Sequence, residues 1–327
     1  MEKKRVLSGM RTTGKLHLGH FHGVLTNWLD FQEKYDCFFF AADWHALTSE
    51  FQHPEIIRES TRDMFIDWLS VGIDPQKATL FIQSQIKEHA ELHLLLSMIT
   101  PLSWLLRNPT FKDSQDEQKS DETATYGFLG YPVLQAADII IYMANLVPIG
   151  VDQLPHVELT REITRRFNYL YGEIFPIPEP ILTEVPKLMG LDGRKMSKSY
   201  QNAIFLADDE EAVRNKVSQM VTDIQRARRK DPGDPDVCNM FPLHPLYSSG
   251  EEVDRIRREC PRAAIGCVEC KKILMQNLMR HLEPVQEKRR YYEVRPQLVD
   301  EIVADGIARS RSIAVATMEK VRDGMKI

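Results

Sequence analysis

Short apolar runs alternate with stretches of helical periodicity through the first part of this 327-residue chain. The predicted strands are the runs of hydrophobic residues at 5–8, 37–42, 79–83 and 146–149. The predicted helices lie at 21–34, 54–72, 90–100 and 155–167, and the first two carry their apolar residues on one side. Continuous apolar strands separated by amphipathic helices are typical of a parallel sheet covered by helices on both faces. The pattern therefore predicts an α/β fold with a doubly wound, Rossmann-like parallel sheet.

The pattern later changes to helices without intervening strands. We therefore predict two domains, with the sheet in residues 1–203 and a C-terminal helical domain in residues 204–327. An amphipathic stretch at 313–325 is interpreted as a last helix that packs back on the first domain. Four prolines between 176 and 186 predict an irregular connection, and the polar residues 107–126 predict a mobile excursion that closes over the site.

One predicted helix, from Tyr131 to Tyr142, is apolar almost all round. Pro132 is predicted to lie in its first turn. Tyr131, Gln135, Asp138 and Tyr142 recur at spacings of four, three and four, so they share one face. A stripe facing solvent is the alternative, but so apolar a helix leaves little else to expose. The spacing favours a polar stripe that lines a small-molecule pocket, in which a buried carboxylate needs hydrogen-bonding partners.

The segment at 13–20, Thr-Gly-Lys-Leu-His-Leu-Gly-His, follows the first predicted strand and opens a helix. A turn of this kind leaves backbone N–H groups free to meet an anion. His17 and His20 add donors that can follow phosphate oxygens, and Gly19 between them lets a planar ligand approach the backbone. Taken alone, the segment is also compatible with an ordinary strand-to-helix turn.

The segment at 193–199, Gly-Arg-Lys-Met-Ser-Lys-Ser, carries the ammonium groups of Lys195 and Lys198 and two hydroxyls in a flexible loop. A mobile pair of cations suits a polyphosphate whose charge moves onto a leaving group. A solvated basic loop is the alternative for this segment when it is considered alone.

Jointly and in this order, the two segments are the HIGH and KMSKS motifs of class I aminoacyl-tRNA synthetases, and the chain resembles that family from end to end. Within the family, the runs 135–139, 147–153 and 156–161 resemble the tryptophan-specific enzymes. The pair Ser8-Gly9 ahead of the first motif does so too. Leu7 stands where a tyrosine-specific enzyme would offer a tyrosine to the substrate phenol.

The resemblance implies a tryptophan site in which Asp138 accepts the indole N–H, a hydrogen bond that rejects analogues lacking the donor. Tyr131, Gln135 and Gln153 would hold the amino-acid ammonium and carboxylate, although many tryptophan enzymes have Met in place of Gln135. His45 would lie nearby, just past the carboxyl end of a strand, although a loop histidine is equally compatible with that position. The implied substrate-binding residues are Leu7, His45, Tyr131, Gln135, Asp138 and Gln153.

The resemblance also implies a two-step reaction. The tryptophan carboxylate attacks the α-phosphorus of ATP and releases pyrophosphate, and the terminal ribose of tRNA(Trp) then attacks the adenylate. The implied catalytic residues are His17, His20, Lys195 and Lys198. The implied ATP-binding residues are Arg11, Thr13, Gly19, Lys112, Gly150, Asp152, Met196 and Ser197. Mg²⁺ should accompany ATP, held mainly by phosphates and water.

The composition is that of a globular protein, with 43% hydrophobic and 27% charged residues. We find neither a membrane-length apolar run nor a signal-peptide pattern, and expect a cytoplasmic protein. The net charge of −5 is unusual for a nucleic-acid binder, but the acidic excess lies in residues 1–203. Basic clusters at 226–230, 255–258 and 288–290 are each compatible with a solvated helix face, yet together they favour a surface for tRNA. The resemblance implies a homodimer.

Four cysteines, Cys238, Cys260, Cys267 and Cys270, lie within 33 residues of the second predicted domain. A metal site is the leading interpretation, because disulfides are unusual in the cytoplasm and four unrelated buried thiols would rarely cluster so closely. Zinc remains an alternative, although only one short Cys-x-x-Cys hook is present. A subset of bacterial tryptophan enzymes has a similar cysteine pattern and a 4Fe–4S cluster, so the resemblance favours iron–sulfur with a structural role. Cys37 is predicted to be a core residue.

Three other functions remain open from the sequence. A tyrosine-specific synthetase would have the same two motifs. An adenylyl-transferring relative that does not use tRNA would have less need of the helical second domain. A non-catalytic RNA-binding relative would be expected to lose the paired histidines or the loop lysines, and this chain keeps them.

Overall fold

A five-stranded parallel sheet forms the centre of the first part of the chain. The computed structural model describes residues 3–108, 125–183 and 188–327, so Lys112 and most of the polar stretch around it lie outside the described residues. The strands run in the order β3-β2-β1-β4-β5, and each neighbouring pair is parallel. Their bounds are Arg5–Arg11 (β1), Asp36–Ala42 (β2), Ala78–Ile82 (β3), Leu146–Ile149 (β4) and Glu179–Leu182 (β5). The predicted doubly wound α/β fold is confirmed.

The order of the strands places a crevice at the carboxyl ends of β1 and β4. The chain passes from β1 to β2 and β3 on one side, then returns to β4 and β5 on the other. Apolar residues make β2 a buried central strand, with Phe38 beside Leu7 and Phe40 beside Gly9 in the register. In open α/β sheets, ligands bind where the strand order reverses.

Strand β5 was not expected from the sequence, because the prolines between 176 and 186 predicted an irregular connection. The segment pairs with β4 along its whole length, with Pro180 beside Val147. A proline lacks a backbone N–H, but on an edge strand the N–H of every second residue faces away from the sheet. Glu179 and Thr183 donate to the β4 side instead, to the carbonyl oxygens of Asn145 and Ile149.

The described helices of this part pack on both faces of the sheet. They are Leu18–His20 (α1), Thr26–Lys34 (α2), Asp43–Glu50 (α3), Glu55–Val71 (α4), Glu88–Ile99 (α5), Leu102–Leu106 (α6), Tyr126–Ile141 (α7) and Leu154–Tyr171 (α8). One wide π-turn at Phe21–Leu25 joins α1 to α2, where the sequence predicted a single regular helix. Helix α7 begins earlier than predicted, capped by the Thr125 hydroxyl, so Pro132 lies inside the helix and its predicted place in the first turn is wrong.

The described residues after 203 add helices and no strand of the sheet. They are Glu210–Gln219 (α9), His244–Tyr247 (α10), Gly250–Glu259 (α11), Cys267–Glu293 (α12) and Pro296–Met325 (α13). Helix α13 is longer than the predicted 313–325, and it packs against β3 and α5. At Gly306 the backbones are so close that a Cβ atom would lie 1.8 Å from the carbonyl oxygen of Leu80.

A buried ion pair joins α12 to α4. The guanidinium of Arg289 binds the carboxylate of Asp67, and both side chains are almost inaccessible, at 7% and 1% exposure. Asp63 and Glu293 lie at the edge of the same guanidinium, 3.3 Å and 2.9 Å away. Buried charges are tolerated in proteins when they are paired in this way. The pair anchors a long helix of the C-terminal part to α4, and the backbone of Leu16, next to His17, also hydrogen-bonds to Asp67.

Candidate active site

A cavity of about 480 Å³ opens at the carboxyl ends of β1, β2 and β4. Its walls come from β1 (Leu7, Gly9 and Arg11), from β2 and β4, and from one face of α7. Its volume lies in the range of small-molecule pockets, and its position is the switch point of the sheet. All six predicted substrate-binding residues line it, namely Leu7, His45, Tyr131, Gln135, Asp138 and Gln153.

Asp138 lies in the wall of this cavity and is only 1% exposed. Its Oδ2 accepts a hydrogen bond of 2.7 Å from His45 Nε2, and its Oδ1 accepts one of 2.7 Å from His89 Nδ1. The amide of Gln83 donates to both oxygens, at 2.8 and 2.9 Å. Burial alone would raise the pKa of Asp138, but the two histidines outweigh it and hold that pKa well below its usual value. The cavity therefore contains an ionised, acceptor-only group.

Tyr131 and His156, two other side chains of the cavity, are joined by a hydrogen bond. The hydroxyl of Tyr131 lies 3.1 Å from Nε2 of His156, and Nδ1 of His156 lies 3.1 Å from the amide of Asn108. Burial lowers the pKa of His156, so its ring is neutral at neutral pH. Tyr142, the last member of the predicted polar stripe, does not line the cavity: it is fully buried behind Asp138.

The paired imidazoles sit at the entrance to α1 and are fixed by backbone donors. The N–H of Gly19 donates to Nδ1 of His17 at 3.0 Å, and the N–H of His17 donates to Nδ1 of His20 at 3.3 Å. Since each Nδ1 accepts, the proton of each neutral ring is on Nε2. Burial, with help from Lys198 and Lys195, lowers the pKa of His17 to about 4, and burial lowers that of His20 well below its usual value. Both rings therefore offer N–H donors without carrying charge.

Gly19 has a second explanation in the structure. A Cβ atom there would lie 2.8 Å from Cε1 and 2.9 Å from Nδ1 of His17. The glycine thus leaves room for the His17 ring to fold back over the start of the helix. The sequence had suggested only that it admits a ligand.

The lysine loop reaches the turn that precedes the histidines. Nζ of Lys198 donates to the carbonyl oxygens of Thr13 and Gly14, at 3.1 and 2.8 Å. Gly14 adopts a left-handed φ of 98°, which favours glycine, and its N–H donates to the Ser60 hydroxyl at 2.6 Å. Burial lowers the pKa of Lys198 to about 8, with Asp67 opposing the shift and Arg11 adding to it. The two motif segments therefore meet in one place.

The remaining predicted ATP-binding residues lie partly at the cavity and partly in the lysine loop. Arg11 and Gly150 line the cavity, and Asp152 is exposed just beyond β4. Lys195 is exposed, whereas the side chain of Met196 is buried at 4% exposure and anchors the loop. The N–H of Ser197 donates to Asn202 at 2.8 Å.

Comparisons with known proteins agree with this geometry. The family described as tRNA synthetases class I (W and Y) matches residues 1–283. The chain is 50% identical to the tryptophan–tRNA ligase of Thermotoga maritima, with 99% of both chains covered. It is 46% identical to that of Aquifex aeolicus, covering 99% of this chain and 100% of the relative. This chain belongs to the tryptophan–tRNA ligase family of class I synthetases.

A solved member of this family has the same architecture. The crystal structure of tryptophanyl-tRNA synthetase from Campylobacter jejuni, described as complexed with ADP and tryptophan, superposes with a TM-score of 0.89 at 34% identity. The match covers 99% of this chain and all of that one. None of the helices in the described ranges is long and apolar enough to cross a membrane.

Sequence reasoning for this synthetase missed two residues behind the cavity, Gln83 and His89. Gln83 directly follows β3, as Asp43 follows β2, so its place at the carboxyl end of a strand was a usable signal. His89 lies in the first turn of α5, where nothing in the periodicity distinguishes it from a satisfied core histidine.

The four cysteines of the C-terminal part are free thiols near one another. Burial raises the pKa of the Cys270 thiol to about 12, and Cys238, Cys260 and Cys267 add to the rise. A guanidinium nitrogen of Arg226 lies 3.7 Å from Sγ of Cys260. Across the described ranges, no three His, Cys, Asp or Glu side chains are arranged around a point that could hold one metal ion.

Proposed function

We propose that this chain activates tryptophan with ATP and transfers it to tRNA(Trp). The observation that carries this function is the ionised carboxylate of Asp138 in the wall of a 480 Å³ cavity at the switch point. The curated relatives are tryptophan–tRNA ligases, and the solved member carries tryptophan and ADP. A tRNA-charging enzyme acts where tRNA is used, and we propose a cytoplasmic location.

In the first step the tryptophan carboxylate attacks the α-phosphorus and pyrophosphate leaves. No side chain of the enzyme forms a bond to the substrate, so positioning and charge stabilisation carry the catalysis. We assign the indole N–H to Asp138, and the ammonium and carboxylate to Tyr131, Gln135 and Gln153. In this assignment the Asp138 carboxylate accepts hydrogen bonds from both His45 and the indole N–H.

The phosphates are assigned to the place where the two motifs meet. The Nε2–H groups of His17 and His20 donate to phosphate oxygens as negative charge moves towards the leaving group. Lys195 and Lys198 neutralise that leaving pyrophosphate. The other ATP contacts are assigned to Arg11, Thr13, Gly19, Lys112, Gly150, Asp152, Met196 and Ser197, with Met196 acting through its backbone. ATP enters as its magnesium complex, in which phosphates and water supply most of the ligands.

We propose that residues 1–203 form the catalytic domain and residues 204–327 recognise the anticodon. The second part carries basic residues at 255–258 and at Lys288 and Arg290, whereas Arg289 is buried against Asp67 and is not part of such a surface. The basic residues at 226–230 lie in an irregular segment and not on a helix. Backbone phosphates bind such surfaces through Lys and Arg.

We further propose that Cys238, Cys260, Cys267 and Cys270 hold a 4Fe–4S cluster. In such a cluster each thiolate binds its own iron, so the four sulfurs surround a volume instead of meeting at one point. The support for this proposal is that the thiols of Cys238, Cys260 and Cys267 are close enough to Cys270 to raise its pKa, and that only one short Cys-x-x-Cys hook of the kind typical of zinc sites is present. When bound, the cluster supplies a rigid cross-link between the segment around Cys238 and α12.

The cluster proposal is tested on full-length protein purified without oxygen. About four iron atoms per chain with broad visible absorbance are expected, and Cys267→Ser should lose both. Stoichiometric zinc without iron would contradict the proposal.

A homodimer is proposed from an apolar strip along α5, α6 and the start of α7. Five apolar side chains are 44–71% exposed there, namely Leu94, Met98, Leu102, Leu106 and Tyr126. The first four of them are each four residues apart in the sequence. Exposed apolar side chains on neighbouring helices favour an interface. Met98→Glu should yield monomers in sedimentation equilibrium, whereas Ile224→Glu, at a residue exposed elsewhere, should not.

The activity itself is tested by pyrophosphate exchange with each aromatic amino acid and by tRNA charging. Exchange should depend on tryptophan, and Asp138→Asn should raise the tryptophan KM by at least about 10-fold, because a hydrogen bond to a charged group is lost. Exchange that tyrosine drives as well as tryptophan would contradict the assignment.

A further inference from the structure

Behind the cavity, Gln83 and His89 hydrogen-bond to the Asp138 carboxylate, and Tyr142 hydrogen-bonds to His89. Gln83, His89 and Tyr142 are each fully buried at 0% exposure, and none of them lines the cavity. Gln83 and His89 come from the segment that follows β3, and Tyr142 follows the last residue of α7, one turn beyond Asp138. Gln83 and His89 therefore meet the carboxylate from the side away from the cavity, and Tyr142 lies behind His89.

The hydrogen bonds form a directed chain. Because an ionised carboxylate only accepts, Nδ1 of His89 must carry a proton and donate to Asp138 Oδ1. The opposite nitrogen, Nε2, lies 2.6 Å from the Tyr142 hydroxyl. Both ends of the imidazole are thus occupied, and the rings of Phe40, Phe81 and Tyr142 surround it. The His89 ring cannot rotate without losing two hydrogen bonds.

The two carboxylate oxygens have different surroundings. Oδ1 accepts from His89 behind the cavity, while the Gln83 amide donates to both oxygens. Oδ2 is shared with His45, whose side chain lines the cavity. An unrestrained aspartate could rotate about its terminal torsion, which is broad and soft, and could present either oxygen. Here the hydrogen bond from His89, which is made to Oδ1 alone, leaves Oδ2 as the oxygen on the side of His45 and the cavity.

We propose that His89, backed by Tyr142, is a positioning residue for substrate selection, which keeps Oδ2 of Asp138 directed at the indole N–H. This inference rests on the proposed tryptophan specificity and deepens it. His89 does not contact the substrate. It acts through Asp138, so its removal should weaken the recognition of the N–H group more than the recognition of the rest of the amino acid.

The test compares tryptophan with benzothienylalanine, in which sulfur replaces the indole N–H. The ratio of their kcat/KM values in pyrophosphate exchange isolates the N–H contact. Wild-type enzyme should prefer tryptophan by about 100-fold or more, because its site is built around that donor. His89→Leu should reduce the preference at least 10-fold, through the KM for tryptophan and with the KM for ATP unchanged. His89→Asn, whose amide can replace Nδ1–H, should restore most of it.

Leu96→Ala provides the matched control. Leu96 is a fully buried residue of the same helix outside the hydrogen-bonded chain, so its truncation should affect both amino acids alike and leave the ratio unchanged. If His89→Leu does not fold, Tyr142→Phe removes only the backing hydroxyl and should lower the preference about threefold.

Two results would overturn the proposal. An unchanged ratio in His89→Leu and in Tyr142→Phe would show that these residues only support the core. The second result is a wild-type enzyme that does not prefer tryptophan over benzothienylalanine, together with an Asp138→Asn variant that has the same ratio. This result would show that the role assigned to Asp138 is wrong, and it would remove the basis for a role of His89.

Discussion

The ammonium group of Lys198 lies 2.8 Å from the carbonyl oxygen of Gly14, although 184 positions separate them in the chain. The contact joins the lysine loop to the turn in front of His17. Two backbone carbonyls thus hold a cation at the place assigned to the leaving pyrophosphate. Burial there lowers the pKa of Lys198 to about 8, which makes its charge sensitive to mildly alkaline pH.

The first prediction concerns this charge. As pH rises through about 8, Lys198 of the free enzyme loses its proton, so kcat/KM for ATP in pyrophosphate exchange should fall about tenfold per pH unit. Lys198→Arg keeps a charge at all accessible pH values, and its profile should stay flat across that range at a lower overall rate. Lys198→Ala should slow adenylate formation steeply while tryptophan still binds. An alkaline limb that persists in Lys198→Arg would assign the titration to another group.

The second prediction concerns the acid stability of the fold through His22. Burial, with a contribution from His281, lowers the pKa of His22 from 6.5 to about 4, and its Nε2 lies 2.7 Å from the Tyr247 hydroxyl. Below pH 6.5 the unfolded chain binds a proton that the folded chain does not. The free energy of unfolding should therefore fall from pH 6.5 towards pH 4, by about 2 kcal/mol at pH 5 from this group.

Urea unfolding at pH 7 and pH 5 measures this effect. His22→Gln should lose about that much less stability between the two pH values than wild type. His53→Gln, at a histidine that is 74% exposed, should behave as wild type. Equal losses in His22→Gln and wild type would contradict the prediction.

The third prediction concerns the buried pair of Arg289 and Asp67. Arg289→Met leaves the carboxylate of Asp67 buried without its partner, which should lower the free energy of unfolding by about 3 kcal/mol. Glu293→Gln tests an exposed member of the same cluster, at 44% exposure, and should cost less than about 1 kcal/mol. Equal effects of the two substitutions in chemical denaturation would show that burial does not control this cluster.

The fourth prediction concerns the contact between α13 and β3. Gly306→Ala should destabilise the protein by about 3 kcal/mol or prevent folding, since its Cβ would overlap the Leu80 carbonyl. Gly250→Ala is the matched control, because a Cβ there meets nothing within 4 Å. Thermal unfolding of the two variants distinguishes a packing effect from a general effect of replacing glycine. A stable Gly306→Ala protein would contradict the close approach.

The strands and the pocket face of α7 were predictable because each depends on local periodicity. The buried run at 37–42 and the spacing of Tyr131, Gln135 and Asp138 both translate directly into a face. The fifth strand was not predictable in this way, because its edge position removes the usual objection to Pro180. The predicted position of Pro132 was wrong because α7 begins earlier, after its capping residue Thr125, and the apolar pattern does not reveal where the helix begins.

The partners of Asp138 could not be predicted from sequence either. His89 and Gln83 lie 49 and 55 positions away and reach the carboxylate only after β3 and α5 take their places. Sequence could require that a buried carboxylate have partners. The identity of these partners could not be predicted, since any nearby polar side chain would have met that requirement.

The contact between Gly306 and Leu80 can form only late during synthesis on the ribosome. The edge of the sheet at β3 is made early, while the helix that covers it is made only after α12 has emerged. Until then the β3 edge carries backbone groups and apolar side chains without their cover, a state that favours association with other chains. Nascent chains of this enzyme should therefore need shielding between translation of the sheet and translation of α13.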